Sequence, residues 1–213
     1  VCPVSLIGQW IQEIREKAPT LEIYCYHGGH RKKDWNFLRQ FDVVVTSYGI
    51  LTSEKFTQAN RALRLGGAYA RNYRVTLEEG EWHRVVLDES HVIKNGSSSA
   101  QACFALRSRH RWCMTGTPVC TSIHDLYNQY QFLNADCLKN FNGTCCRSVW
   151  QMFAEQYRHG HYENALSSEV LFFLRRSLIR HDKVQRMPNG RALLSLPEKE
   201  EEVAVVELSD LEK

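Results

Sequence analysis

Arg84-Val85-Val86-Leu87-Asp88-Glu89-Ser90-His91 is the stretch on which the fold turns. Three apolar residues run without a break into two adjacent carboxylates. An uninterrupted apolar run suits a parallel strand covered on both faces, because a half-exposed strand alternates instead. In open α/β sheets ligands gather at the carboxyl ends of the strands, where Asp88 and Glu89 fall. Asp88 there can hold Mg²⁺, through water, since Mg²⁺ gives up its hydration shell reluctantly. Glu89, one residue on, can orient and activate an attacking water. A chance acidic turn after a strand is the better explanation of Asp-Glu alone. The whole run with Ser90 and His91 favours the functional reading.

Short apolar runs on either side repeat the strand signal. Leu21–Tyr26, Asp42–Thr46, Arg84–Leu87 and Arg111–Met114 are short, apolar and bounded by polar residues or glycine. Helical patterns lie between them. Over Ser5–Lys17 the residues Leu6, Ile7, Trp10, Ile11 and Ile14 form one stripe, and Pro19 ends it. Ser97–Arg107 and Ile123–Leu133 also predict helices. Strands alternating with helices imply a doubly wound, parallel α/β sheet. After Leu133 the strands stop. Residues 148–182 predict helix, 184–200 carry Pro188, Gly190 and Pro197 and predict a linker, and Glu202–Leu208 fits one more strand.

Three further motifs sit at predicted strand ends. Trp112-Cys113-Met114 leads into Thr115-Gly116-Thr117-Pro118, where Gly116 permits tight backbone geometry and both hydroxyls can bond toward the Asp-Glu strand. Such a string is also a plain turn, and its interest is its place one β–α unit after Asp88. Val1-Cys2-Pro3-Val4-Ser5 puts Ser5 where a helix cap belongs, and free amides at a helix start bind phosphate. Val45-Thr46-Ser47-Tyr48-Gly49 presents two hydroxyls and an aromatic before a helix, groups that can hold a nucleic-acid backbone without reading bases. A simple cap and a polar strand-to-helix turn are the plainer readings of these two.

Composition bounds the function class. The 213 residues are 43% hydrophobic and 24% charged, which excludes a disordered chain, collagen and a simple coiled coil. No apolar run approaches the roughly 18 residues that cross a bilayer. The net charge of +3 is too small to argue nucleic-acid binding by itself. It averages a basic segment (Arg175, Arg176, Arg180, Lys183, Arg186, Arg191) and an acidic one (Glu198, Glu200, Glu201, Glu202, Glu207). None of the eight cysteines forms a Cys-x-x-Cys pair, and several sit in apolar strand patterns, so free thiols in a reducing compartment are expected. Cys145 and Cys146 with His159 and His161 match no common zinc spacing.

Taken in order, these motifs resemble the first motor lobe of the SWI/SNF-type ATPases of helicase superfamily two. Val1–Glu13 is similar to that family's motif Ia, with Gln9-Trp10 following. Asp42–Leu51 resembles motif Ib. Trp82–Asn95 resembles the Walker B or Asp-Glu-x-His box with its trailing Ile93-Lys94-Asn95. Arg109–Leu133 resembles motif III and its helix, including Asp125-Leu126-Tyr127 and Phe132-Leu133. Leu178-Ile179-Arg180 with Lys183, then Leu196-Pro197-Glu198-Lys199, resemble the segment joining the two lobes. Arg84 to Glu89 and Arg111-Trp112 look most like the postreplication-repair branch, which includes the helicase-like transcription factor.

The resemblance implies an incomplete RecA-like (P-loop NTPase) lobe: a parallel sheet with flanking helices over 1–135, a helical extension over 136–183 and a linker over 184–213. It implies ATP and Mg²⁺ as cofactors, with Asp88 on the metal and Glu89 on the hydrolytic water. His91, Thr115, Gly116 and Thr117 would couple the nucleotide state to DNA, and Ser5, Thr46, Ser47 and Tyr48 would lie along the DNA. The implied partners are double-stranded DNA, in chromatin also nucleosomes, a second motor lobe and a RING domain, and the implied location is the nucleus. The function implied is ATP-driven DNA tracking in chromatin remodelling or DNA repair. A remnant lobe that binds DNA or protein without turnover is the alternative, and an RNA-helicase lobe fits less well, lacking the Gln9-Trp10 and Ile93-Lys94-Asn95 context. The pattern departs in two places. None of the twelve glycines is followed by Lys-Ser or Lys-Thr, so the phosphate loop is expected before Val1 and the second lobe after Lys213. After Pro118 stand Val119-Cys120-Thr121 where the family reads Ile-Gln-Asn.

Overall fold

A computed structural model describes residues 1–65, 75–94, 96–120, 123–133, 174–180, 185–192 and 202. The chain forms two compact units, Val1–Ala165 and Leu166–Lys213. The first opens on a 3₁₀ turn, Val4–Leu6, which runs into α1 (Ile7–Lys17). There follow β1 (Ile23–Cys25), α2 (Trp35–Leu38), β2 (Val43–Val45), α3 (Tyr48–Leu65), α4 (Thr76–Glu79) and β3 (Glu81–Asp88). A 3₁₀ turn over Ser90–Val92, α5 (Ser98–Ala105), β4 (Arg107–Met114) and α6 (Ile123–Leu133) complete it.

All paired strands are parallel: β1 with β2, and β3 with β4. Residues Val1 and Cys2 join the two pairs. Cys2 N–H donates to the Thr46 carbonyl at 3.0 Å, and Asp88 N–H donates to the Val1 carbonyl at 2.8 Å. The Val1 nitrogen in turn donates to the Val86 carbonyl at 2.8 Å. The order across the sheet is therefore β1, β2, Val1–Cys2, β3, β4. The chain begins in the middle, winds to one side, then crosses to the other. That reversal brings Pro3, Thr46, Asp88 and Thr115 to one edge, the carboxyl edge, where such folds bind ligands.

The expected stripe on α1 is observed. Ile7 is buried with Cys2 and Val45, and Leu6, Trp10, Ile11 and Ile14 pack around them with Ile23 and Val43. The main core lies on the opposite face of the sheet. Val85 and Leu87 point into it and meet Leu51, Ala100, Cys103, Leu106 and Phe132. Each large aliphatic or aromatic side chain so buried stabilises the fold by about 1.5–3 kcal/mol.

Two strand readings change. The apolar run in β3 predicts cover on both faces, but only one face is covered among the described residues. On the other, Trp112 is 50% and Met114 41% exposed, with Arg84 exposed beside them. The helices α5 and α6 pack on the first face, while α1 packs mainly on β1 and β2 of the second and reaches β3 through Trp10. The strands β3 and β4 also begin three and four residues earlier than their apolar runs. Glu81, His83, Arg107 and Arg109 are exposed, so the strand starts carry no hydrophobic signal. For the same reason α5 ends at Ala105 rather than Arg107. Both α2 and α4 are single turns, too short for periodicity to show.

In the second unit, 174–177 is helical, within the expected helix. Inside the expected linker, Arg186 and Ala192 form an antiparallel bridge around a turn. Gly190 sits there at φ 81°. The expected strand Glu202–Leu208, the cysteines 145 and 146, His159 and His161, and the domain boundaries at 135/136 and 183/184 lie outside the described residues, apart from Glu202. Among the described residues no helix is long and apolar enough to cross a membrane.

Candidate active site

The register of β3 against β4 builds the site. Asp88 pairs with Met114, so the next residues, Glu89 and Thr115, leave the sheet side by side. Glu89 then takes a left-handed conformation, φ 51° and ψ 48°, the only non-glycine at positive φ among the described residues. This reversal ends the strand and starts the Ser90–Val92 turn, which swings His91 back toward Thr115. His91 Nδ1 lies 2.9 Å from Thr115 Oγ1 and 3.2 Å from Glu89 Oε2. Thr115 Oγ1 lies 3.4 Å from the same carboxylate oxygen and accepts the Thr117 N–H at 3.1 Å. Thr117 Oγ1 is 3.4 Å from His91 Nδ1. His91 and Thr115 thus meet at the Glu89 carboxylate, which is 40% exposed, and Thr117 joins them through His91 and Thr115.

Asp88 is held differently. The Trp10 indole N–H donates to Oδ2 at 2.7 Å, and the Glu89 N–H donates to Oδ1 at 3.0 Å. The Tyr48 hydroxyl donates to the Asp88 main-chain carbonyl at 2.7 Å. One half-buried carboxylate at a strand end, next to a second one, fits Mg²⁺, which binds through one or two carboxylates and keeps several waters. Among the described residues no group of three or more His, Cys, Asp or Glu side chains forms a dedicated cage. The donor set therefore suits a hard, largely hydrated ion shared with a substrate.

Behind the exposed groups lies a buried polar layer that sequence reasoning missed. Ser90 is fully buried, and its hydroxyl donates to Gln129 Oε1 at 2.9 Å. Gln129 donates onward to the Pro118 carbonyl at 2.7 Å. Asp125 accepts the Cys120 N–H at 3.1 Å. Thus α6 holds both the Asp-Glu-Ser-His turn and the Thr-Gly-Thr-Pro turn. A glutamine in an amphipathic helix gives no sign of this role, since solvated glutamines are common there. Gly116 has open space around it and no positive φ, so the tight geometry expected of it is not required.

The four residues expected along DNA are placed apart from one another in kind. Ser5 is exposed, but it sits inside the Val4–Leu6 turn and caps nothing; Pro3 and Leu6 hold the cap positions of that turn and of α1. The turn starts one residue too early for Ser5 to act as a cap. Thr46, Ser47 and Tyr48 are all buried. The Thr46 hydroxyl donates to the Tyr26 carbonyl at 2.9 Å, Ser47 Oγ is 3.4 Å from the Ile50 N–H in the first turn of α3, and Tyr48 holds Asp88. The structure gives these three internal roles: they shape the carboxyl edge between Val1–Cys2 and β1.

Burial also marks the thiols around the site. The Cys103 and Cys113 thiols are pushed up to about 12, because burial penalises the thiolate. Burial likewise raises the Tyr48 phenol well above its ordinary value.

The family description "SNF2-related domain" matches residues 1–213. The DNA repair protein RAD5A of Arabidopsis thaliana is 36% identical over 216 residues, covering 100% of this chain and 19% of that protein. The DNA repair protein RAD5 of Gibberella zeae is 32% identical over 224 residues, covering 100% of this chain and 18% of that protein. The chain therefore spans about one-fifth of these relatives. Among solved structures, the Sulfolobus solfataricus SWI2/SNF2 ATPase core in complex with dsDNA shares 26% identity at a TM-score of 0.54, over 75% of this chain and 28% of that one. The Sulfolobus solfataricus SWI2/SNF2 ATPase core domain has a TM-score of 0.61 over 87% of this chain and 33% of that one; at 24% identity it supports the fold alone.

Proposed function

Because this chain belongs to the SNF2-related domain family, we propose that it is part of the first motor lobe of an ATP-dependent double-stranded DNA translocase acting in DNA repair or chromatin remodelling. The observation that carries the reading is the meeting of Glu89, His91, Thr115 and Thr117 beside Asp88 at the carboxyl edge of a parallel sheet. The names of the relatives, and the dsDNA with which one structural neighbour is complexed, support the substrate class. In this reading residues 1–135 are the lobe, 136–183 its helical extension and 184–213 the linker to a second lobe. The intact protein supplies that lobe and the phosphate loop, and works on DNA in the nucleus.

Magnesium bound with ATP would supply charge neutralisation at the phosphates, and Asp88 is the residue that would hold it. Glu89 orients the hydrolytic water from its exposed carboxylate. The Thr115 hydroxyl and His91 Nδ1 face the same Oε2 and fix its direction. His91 also bridges to Thr117, so a shift of the Thr-Gly-Thr-Pro turn reaches Glu89 through one imidazole. That is the proposed link between nucleotide state and DNA. The DNA side falls on exposed Ser5 and on the edge that Thr46, Ser47 and Tyr48 support from beneath.

The deciding experiment is Glu89→Gln in the intact protein that carries this chain. DNA-stimulated ATP hydrolysis is expected to fall by about 10²–10⁴-fold, with nucleotide binding retained. Wild-type turnover in that variant would remove Glu89 from the mechanism. The purified 213-residue chain alone is expected to show no DNA-stimulated ATPase activity, since it has no Gly-Lys-Ser/Thr sequence.

A further inference from the structure

Asp88 draws a donor from an element that the proposed chemistry leaves idle. Trp10 lies one turn into α1, 78 residues from Asp88 in sequence, and its indole N–H reaches Oδ2 at 2.7 Å. An indole nitrogen only donates, so the direction of the bond is fixed and Asp88 Oδ2 is its acceptor. The opposite oxygen, Oδ1, takes the Glu89 N–H at 3.0 Å. Each carboxylate oxygen therefore has one protein donor, which sets the plane of the group and leaves its remaining lone pairs pointing outward. The indole also walls a cavity of about 490 Å³ together with Val86, Asp88 and Met114. The bond thus sits against apolar side chains, where a charge-assisted hydrogen bond is stronger than in bulk water.

We propose that Trp10 is a positioning residue for the magnesium-holding carboxylate: its indole N–H fixes the rotation of Asp88 so that one oxygen faces the ion's water shell. This rests on the proposed ATPase reading for the identity of the ion. The contact itself stands on geometry alone. A residue that only packs would need the ring but not the N–H. Partners that orient a metal ligand change metal affinity or activity by about 10–100-fold when removed.

The first test uses the 213-residue chain and no nucleotide. In a ¹⁵N-resolved spectrum of the indole N–H groups, the Trp10 resonance is expected to lie downfield and to move upfield in Asp88→Asn, with the other tryptophans unmoved. A Trp10 resonance that ignores Asp88→Asn would overturn the proposal. The second test uses the intact protein. Trp10→Phe keeps the ring and loses the donor, and is expected to raise the half-saturating Mg²⁺ by about 10-fold, with kcat at saturating Mg²⁺ within about twofold of wild type. Trp10→His restores a ring N–H and recovers part of the Mg²⁺ affinity. An unchanged Mg²⁺ requirement in Trp10→Phe overturns the positioning role, and so does a loss of kcat that Mg²⁺ does not restore. If Glu89→Gln hydrolyses like wild type while the Trp10 resonance still follows Asp88, the functional reading fails and the contact survives.

Discussion

Ser90 donates its hydroxyl to the Gln129 side-chain carbonyl at 2.9 Å, with both residues buried. Neither side chain has water to fall back on. Removing the hydroxyl alone leaves Gln129 Oε1 without its donor, and a buried unsatisfied acceptor costs about 1–3 kcal/mol. Ser90→Ala is therefore expected to lower the stability measured by urea unfolding by that amount. Gln129→Leu also removes the donor to the Pro118 carbonyl and is expected to cost more than Ser90→Ala, while the two changes together are expected to cost less than their sum, because the acceptor that Ser90→Ala orphans is then gone. The double-mutant cycle in urea measures this coupling, and strict additivity of the two changes contradicts it.

Glu54 anchors the loop after β1 to α3. It is 8% exposed and accepts from the Tyr26 hydroxyl at 2.8 Å and from Arg31 Nε and the Arg31 guanidinium end at 2.9 Å. Glu54→Ala leaves a nearly buried guanidinium without its carboxylate and is expected to cost about 3–5 kcal/mol. Glu54→Gln keeps an acceptor and should cost less. Equal thermal midpoints for the two variants would show that a neutral acceptor cannot replace the carboxylate.

The buried phenols and thiols give stability a defined slope in alkali. Burial, and for Tyr26 also its bond to Glu54, raises Tyr26 and Tyr48 well above their ordinary 10.0, and burial raises Cys103 and Cys113 to about 12 from 9.0. The folded protein holds these protons more tightly than the unfolded chain. Their contribution is therefore intact below the unfolded values, starts to fall as pH climbs through 9.0 and 10.0, and goes on falling up to the folded values, about 12 for the two thiols. Urea midpoints should fall between about pH 8 and about pH 10.5. Tyr48→Phe should flatten that fall, at a cost in stability at neutral pH of about 1 kcal/mol for the lost bond to Asp88.

The same burial sorts the cysteines by reactivity. Cys25 and Cys120 are exposed, whereas Cys2 and Cys103 are buried and Cys113 is half-buried. Brief iodoacetamide treatment of the native chain should modify Cys25 and Cys120 before Cys103 and Cys113, since the thiolate is the reactive form. Peptide mass mapping reads the order, and early loss of Cys103 contradicts it.

The legible parts of this protein are those where side-chain pattern and backbone geometry share a cause. The stripe on α1 and the apolar cores of β2 and β3 are written in residues that must leave water, so periodicity reveals them. Helix α6 is found over Ile123–Leu133. The polar starts of β3 and β4 are hidden because edges in solvent need no apolar side chains. The catalytic candidates Asp88, Glu89, His91, Thr115 and Thr117 come together as their spacing implies, since one β–α unit is what brings neighbouring strand ends into register. Bonds across long sequence separation are not legible. Trp10 to Asp88 and Ser90 to Gln129 depend on which faces meet, and an indole or an amide in a helix looks the same whether it touches an apolar core or a carboxylate. The internal bonds of Thr46, Ser47 and Tyr48 are hidden for a related reason: polar groups at a strand end look like a surface, and here they are buried.

The left-handed turn at Glu89 sets stability and chemistry against each other at a single residue. A side chain at φ 51° costs of order 1 kcal/mol that glycine would not. Glu89→Gly should therefore unfold no more easily than wild type, although glycine usually weakens a structured segment. It would also erase the carboxylate. On the proposed role of Glu89, a screen for stability alone would drift away from the glutamate, and only a requirement for turnover would keep it.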